Sequence, residues 1–192
     1  MRWSVVAAAC VAAILALPIG GCQTTGTTKV ITQQQSMLAF DESARIITQP
    51  PVRENHATSE VQVESYLWPG GGIFYVEAFP GRLFRVAYSE ARGLEHLLEN
   101  RFQILKLAVA GDVAFARNGF GRAPYAVGQR PNGETCFVFS QTLRFAMDDA
   151  TTNFNPAQIY AYGWHCALPY AWKPEEIEAE MLKVVESLRS NR

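Results

Sequence analysis

The stretch "TCFVFSQTLRF", Thr135 to Phe145, decides how the fold is assembled. Its alternation is typical of a β-strand, and a second such stretch, "AQIYAYGWHC" from Ala157 to Cys166, follows after a polar loop. If the two are antiparallel strands and the ends of the loop face each other, then Cys136 lies opposite Cys166. Cysteines that face each other across such a pair are close enough for a disulfide.

This register gives the two faces of the strand pair different chemistry. One face carries the aliphatic and phenyl side chains of Phe137, Phe139, Leu143, Phe145 and Ile159, which suits a core under a helix. The cysteine face carries Tyr160, Tyr162 and Trp164. With Tyr170 and Trp172 they form a candidate surface for a glycan or a protein partner, because flat rings with polar edges bind both. A plain tyrosine-rich sheet is the alternative interpretation. Trp68, Tyr75 and Tyr88 are further candidates for this aromatic cluster.

Other strands and helices are expected on both sides of this pair. "EVQVESYLW" and "IFYVEAF" flank Pro-Gly-Gly-Gly at 69–72 and predict a hairpin, with Val61, Val63, Ser65 and Leu67 on one side of the first strand. Residues 89–101 predict a helix with Ser89 as its N-cap. A shorter strand is expected around 125–129, followed by the turn "RPNG".

The final segment, "KPEEIEAEMLKVVESLRSNR", has the clearest helical pattern in the chain, with Pro174 at its first position. Five apolar residues form one stripe that we expect to pack on the sheet: Ile177, Met181, Val184, Val185 and Leu188. The predicted fold class is therefore α+β, an antiparallel sheet with a C-terminal helix packed on one face and one disulfide.

The N-terminal residues predict export. Residues 1–21 are predicted to be a signal peptide, which contains Arg2, the apolar run "VVAAACVAAILAL" and Pro18. The apolar run is too short to span a bilayer. Ile19-Gly20-Gly21-Cys22 resembles the lipobox of bacterial lipoproteins. The resemblance implies acylation of Cys22, cleavage before it and, because Gln23 follows, transfer to the periplasmic face of the outer membrane.

Export bears on the remaining regions. An oxidising compartment favours a disulfide between Cys136 and Cys166, with zinc binding as the rival interpretation. Residues 22–59, rich in Gln, Thr, Ser and Pro, are interpreted as the lipidated cysteine and a polar tether. Its apolar pieces "SMLAF" and "ARIIT" are candidates for docking on the domain. Residues 60–192 are predicted to form a single globular domain.

Composition and motifs exclude or disfavour several functions. The net charge of −1, with Lys and Arg scattered singly, argues against binding nucleic acid. The chain has no GxSxG motif, and His56, His96 and His165 occur in unrelated settings. Asp148-Asp149 could bind a divalent ion or serve as an acid/base pair, although a solvated loop explains the two residues more simply. We therefore expect no catalytic residues, no cofactor and no resident metal, and a protein that is not an enzyme.

The segments "ARNGFGRAPYAVGQRPNGETCFVFSQTL" and "YGWHCAL", followed by a helix, resemble the BcsN family of cellulose biosynthesis proteins of alphaproteobacteria. The matching positions are Asn118, Gly119, Tyr125, Cys136, Gln141 and Cys166. Ser140 stands where the family pattern leads us to expect tryptophan, and the N-terminal half shows no clear match.

The resemblance implies a non-catalytic accessory lipoprotein for the synthesis or export of an envelope polysaccharide such as cellulose. Its expected partners are the lipid bilayer, through acylated Cys22, and an envelope protein or a polysaccharide. The alternative is a structural or interaction lipoprotein of another envelope machine, such as a secretion or conjugation apparatus.

Overall fold

The computed structural model describes residues 27–40, 44, 47, 49–56, 61–78, 88–109, 111–145, 157–167 and 173–190. These described residues form eleven strands and two α-helices. The strands are β1 Thr27–Val30, β2 Leu38–Ala39, β3 Val52–His56, β4 Val61–Trp68, β5 Gly71–Ala78, β6 Ala108–Val109, β7 Ala114–Asn118, β8 Gly121–Gln129, β9 Thr135–Phe145, β10 Ala157–Ala167 and β11 Arg189–Ser190; the helices are α1 Ala91–Asn100 and α2 Pro174–Ser187.

Nine of the strands form one antiparallel sheet. Its order is β1-β3-β4-β5-β10-β9-β8, and β6 and β7 both pair with β8 at the far edge. β2 and β11 form a separate two-stranded sheet, which joins the C-terminal segment to the N-terminal one. The predicted α+β class, with a C-terminal helix on one face of an antiparallel sheet, is confirmed.

Both predicted turns join the strands that the sequence indicated. β4 and β5 form a hairpin around Pro69 and Gly70, and Gly70 has a φ of +85° that residues with a side chain rarely adopt. A Cβ on Gly70 would also lie 2.6 Å from the Cys166 carbonyl oxygen. The "RPNG" turn joins β8 to β9, and its Gly133 amide donates to the Arg130 carbonyl.

The sheet has a hydrophobic core on each face. α2 covers the first face, where all five residues of its predicted stripe are fully buried against Phe137, Phe139 and Ile73. α1 and Phe102 cover part of the second face, and there Leu94 and Leu97 pack near Val138 and Tyr160. We call these the α2 face and the α1 face. Because both cores are built on β9 and β10, these two strands are sandwiched between helices.

The predicted polar tether is corrected. Within residues 22–59, β1 and β3 extend the main sheet, each pairing antiparallel with its neighbour up to β4. Met37 and Leu38, from the piece "SMLAF", are buried in the core of the α2 face, as the docking alternative predicted. The folded domain therefore begins by Thr27 and not near residue 60. The reason is that pairing with a neighbouring strand, β3 for β1 and β4 for β3, stabilises strands whose own sequences are short and polar.

The start of α1 also differs from the prediction. Glu90, not Ser89, is the N-cap residue, and its side chain makes no capping hydrogen bond. The Ser89 hydroxyl instead accepts a hydrogen bond from the Thr142 backbone amide at 3.0 Å. Ser89 therefore links the helix start to β9, because the strand offers it a backbone donor.

Candidate functional site

The disulfide and its register are confirmed. Cys136 and Cys166 are bonded, with their Cα atoms 4.0 Å apart. β9 and β10 pair as predicted through most of their length, with Val138 opposite Trp164 and Ser140 opposite Tyr162. A bulge near Ile159 shifts the register only at the loop end. The cystine therefore lies on the α1 face, in line with the aromatic residues of β10.

Those aromatic residues form a ladder across the α1 face. Tyr88 stacks on Tyr160 with ring centroids 3.9 Å apart, and Tyr160 lies beside Tyr162 at 5.8 Å. Phe74 of β5 stacks between Tyr162 and Trp164, at 5.2 and 5.7 Å. The ladder arises because every second residue of β10 points to this face and its neighbours on β5 do the same.

Burial limits what this ladder can bind. Tyr88 and Tyr160 are only 5% and 4% exposed, and Phe102 closes edge-on over Tyr162 and Trp164. Desolvation by burial raises the pKa of Tyr160 well above its usual range, with smaller contributions from neighbouring tyrosines. The expectation of an aromatic binding surface is therefore corrected at Tyr160, which is a core residue. The half-buried rings of Tyr162, Trp164 and Phe74 remain accessible at their margins.

The other predicted members of the aromatic surface are distributed differently. Tyr88 joins the ladder, as predicted. The prediction is wrong for Trp68 and Tyr75, because they lie in the core of the opposite, α2 face. Tyr170 and Trp172 lie outside the described residues.

Three of the six positions named for the BcsN resemblance, Asn118, Gln141 and Tyr125, help to hold α2 on the sheet. Asn118 and Gln141 form a reciprocal amide pair: Asn118 Nδ2 donates to Gln141 Oε1 at 2.7 Å, and Gln141 Nε2 donates to Asn118 Oδ1 at 2.8 Å. Asn118 Nδ2 also donates to the Val185 carbonyl of α2 at 2.7 Å. Because Gln141 is fully buried, this arrangement satisfies polar groups that would otherwise destabilise the core.

Tyr125 makes a second polar contact with the same helix. Its hydroxyl donates to Glu178 Oε1 at 2.8 Å, and its ring stacks on Phe137. Desolvation, followed by the hydrogen bond and charge of Glu178, raises the pKa of Tyr125 to about 12. The hydroxyl therefore stays protonated and keeps donating across the neutral pH range. Asn118, Gln141 and Tyr125 thus have a structural role in docking α2.

A buried carboxylate is the feature that the sequence analysis missed. Glu64 is fully buried on the α2 face, where Arg53 Nε and Nη2 donate to its Oε1 at 2.9 and 2.6 Å. Its Oε2 accepts from Ser36 Oγ at 2.6 Å and from the Met37 amide at 2.9 Å. The Tyr66 hydroxyl contacts Ser36 Oγ and donates to the Leu38 carbonyl.

This network fixes the segment around residue 36 to the sheet. The sequence signal that could have revealed this buried face is the second set of alternating residues in β4, which includes two large aromatic side chains: Gln62, Glu64, Tyr66 and Trp68. Val61, Val63, Ser65 and Leu67 do share a face, as predicted, but Leu67 is exposed, whereas Tyr66 is fully buried. The charge on Glu64 made the more deeply buried face look like the solvent face.

The histidines do not converge in the described structure. His165 is buried on the α2 face, where its Nδ1 accepts from Trp68 Nε1 at 3.1 Å, and burial lowers its pKa. His96 is exposed on α1 beside Asn100. The side chain of His56 and the pair Asp148-Asp149 lie outside what the structure describes. Among the described residues no group of three metal-ligating side chains occurs.

The predicted lipidation site, Cys22, also lies outside the described residues. The nearest described element is β1, whose first residue, Thr27, follows Cys22 by five positions. Within the described part of the chain, neither helix is long and apolar enough to cross a bilayer.

Comparisons with family models, with curated proteins and with solved structures find no match for this chain.

Proposed function

We propose that this chain is an outer-membrane-anchored, non-catalytic accessory lipoprotein for the biosynthesis or export of an envelope polysaccharide such as cellulose. The observation that carries the proposal is the motif Ile19-Gly20-Gly21-Cys22 at the end of an apolar signal-like run. Several acyl chains on one cysteine would hold the chain stably at a membrane, since each buried CH₂ contributes about 0.8 kcal/mol.

The buried polar groups that the structure describes are used within the fold, which is compatible with the proposed scaffold role. His165 is buried and accepts a hydrogen bond from Trp68, and burial lowers its pKa. The polar networks of Glu64 and of Asn118 with Gln141 are directed at the protein's own backbone and side chains. Polar groups used in this way stabilise a fold and leave the surface for binding.

The polysaccharide assignment rests on the family resemblance. Three of its motif positions, Asn118, Tyr125 and Gln141, take part in the contacts that hold α2, so their hydrogen bonds are used within the fold. In this role the protein would position an envelope protein or a polysaccharide near the membrane.

One observation favours the alternative, a structural or interaction lipoprotein of another envelope machine. Tyr160 and Tyr88 are buried in the aromatic ladder, which removes part of the surface that had suggested glycan binding. The half-buried margins of Phe74 and Trp164 suit a protein partner as well as a sugar.

The decisive experiment is deletion of the gene in a strain that makes cellulose, followed by staining with a cellulose-binding dye. We expect staining to be lost and to return with the full chain. Cys22→Ala should fail to restore it, whereas the matched control Cys10→Ala, in the signal region, should restore it. Unchanged staining in the deletion strain would refute the polysaccharide role. Palmitate labelling that persists in Cys22→Ala would refute the anchor.

A further inference from the structure

One end of the α1 face carries a row of mainly apolar side chains that the described elements leave partly exposed, although Ser65 in this row is buried. Val30, Val52, Ser65 and Phe74 face one another in sequence across β1, β3, β4 and β5, so their side chains share a face. Leu67 lies two positions from Ser65 on the same face. Val30 is 63% exposed and Leu67 is 45% exposed. We call Val30, Val52, Leu67 and Phe74 the edge patch.

The opposite face of the same strands is charged. There Lys29 faces Arg53, which in turn faces Glu64, so that a row of ionisable groups crosses β1, β3 and β4. The row that holds the edge patch contains no ionisable side chain. The nearest ones on that face are Tyr162, which faces Phe74 from β10, and Glu54, which lies one row away and is half-buried. The two faces of this sheet edge therefore differ in what they can contact.

The position of the patch along the chain indicates its occupant. Cys22 precedes Thr27 by five positions, and a fully extended chain spans at most ~3.3–3.6 Å per residue, so the two Cα atoms are at most about 18 Å apart. The headgroup layer of a bilayer is itself about 5–8 Å deep on each side. An acylated Cys22 at that level leaves no room for a long tether between β1 and the membrane.

We propose that the edge patch rests on the bilayer surface to which Cys22 is fixed, so that the sheet edge β1–β3–β4 is the membrane-facing side of the domain. The proposal rests on the lipidation that the proposed function assigns. Aliphatic and phenyl side chains at an interface bury apolar area in the boundary between headgroups and acyl chains. Lys29, which is exposed on the opposite face, then faces the aqueous side, while Arg53 and Glu64 stay paired within the protein.

The test uses nitroxide labels on the full acylated chain in vesicles of phosphatidylethanolamine and phosphatidylglycerol. Cys136 and Cys166 are bonded to each other and Cys22 carries the lipid, so a single introduced cysteine is the reactive thiol. Labels are placed at Val30→Cys and Leu67→Cys. The matched control is Ala179→Cys, an exposed position on α2 at the other face of the sheet.

We expect labels at 30 and 67 to be several-fold less accessible to a water-soluble nickel chelate than the label at 179, and several-fold more accessible to oxygen relative to nickel. Equal accessibility at all three positions would overturn the membrane contact. Spin–spin coupling between labels at residue 30 that disappears on dilution with unlabelled chain would also overturn it, because a second copy would then cover the patch.

Failure of the anchor is distinguishable from failure of the contact. The mass of the peptide that contains Cys22 is measured first on the same preparation. An unacylated Cys22 would overturn both the anchor and the contact that depends on it. An acylated Cys22 with freely accessible labels at 30 and 67 would overturn the contact and leave the lipoprotein assignment standing.

Discussion

Replacing Glu64 by glutamine should destabilise the protein strongly, because both carboxylate oxygens accept hydrogen bonds. Arg53 donates twice to one oxygen, and Ser36 and Met37 donate to the other. A glutamine offers one acceptor oxygen and one donor group. Whichever way the amide turns, its NH₂ group faces a donor, either the Arg53 guanidinium or the Met37 amide.

The size of the effect follows from burial. Removing one partner of a buried ion pair typically costs about 3–5 kcal/mol, because the other charge is left uncompensated. Glu64 is fully buried, while the Arg53 side chain is 25% exposed and can turn partly toward water. We therefore expect the free energy of unfolding to fall by about 3 kcal/mol, the lower end of that range.

The assay is urea unfolding of the chain from residue 23 onward, which contains every described residue. Glu95→Gln is the matched control, because Glu95 is exposed on α1 and the same chemical change there should stay within about 0.5 kcal/mol. Hydrogen exchange gives a local readout, since the Met37 amide should lose protection in Glu64→Gln. A Glu64→Gln chain as stable as Glu95→Gln would refute the assigned role of this carboxylate.

Four further outcomes are expected of the same chain. Reducing the Cys136–Cys166 bond should lower the free energy of unfolding by about 3–4 kcal/mol, since it closes a 30-residue separation, and a thiol reagent should label neither cysteine before reduction; two labelled cysteines would contradict the bridge. Met181→Ala should cost about 2–5 kcal/mol in denaturant unfolding, because Met181 is fully buried where α2 packs on the sheet, and a smaller loss would mean that α2 is loosely docked. Asn118→Ala should cost about 1–3 kcal/mol, since it leaves buried amide groups without their partner, and a neutral result would argue against the amide pair. His165 has a pKa lowered by burial, so its contribution to stability is complete above the unfolded-state pKa of about 6.5 and is lost as the pH falls through the lower folded-state value; His165→Gln should flatten that acid-side decline in urea midpoints, and an unchanged slope would contradict it.

The sequence predicts the central strands well because two independent constraints agree there. Alternation sets the faces of Thr135–Phe145, and the loop that follows sets the register, which then brings Cys136 opposite Cys166. The stripe of α2 is equally predictable, since its apolar positions repeat at the helical period. In both places the local pattern and the final packing require the same residues.

The N-terminal strands are not predictable in this way. "TTKV" and "VRENH" carry little apolar pattern, and their strand conformation depends on pairing, of β1 with β3 and of β3 with β4. Glu64 was missed for a related reason, because a charged residue within an alternating strand usually marks the solvent face. Its burial depends on Arg53 and on the segment at residue 36, neither of which is near it in sequence.

The aromatic site was predicted in part. The shared face of Tyr160, Tyr162 and Trp164 follows from the strand period, but their burial does not. It depends on Tyr88 and Phe102, which approach from a helix region distant in sequence.

The strand order also determines when this protein can finish folding. The described sheet contains two sets of strands that are neighbours both in space and in sequence. One set is β1, β3, β4 and β5, and the other is β7, β8, β9 and β10. Within this sheet the two sets meet where β5 pairs with β10. Because β6 to β9 lie between them in the sequence, β5 keeps one unpaired edge until β10 is available to pair with it. Such non-local pairings form slowly, and an open strand edge can pair with another molecule in the meantime. Until β5 has paired with β10, the partly folded protein is therefore exposed to aggregation through the open edge of β5.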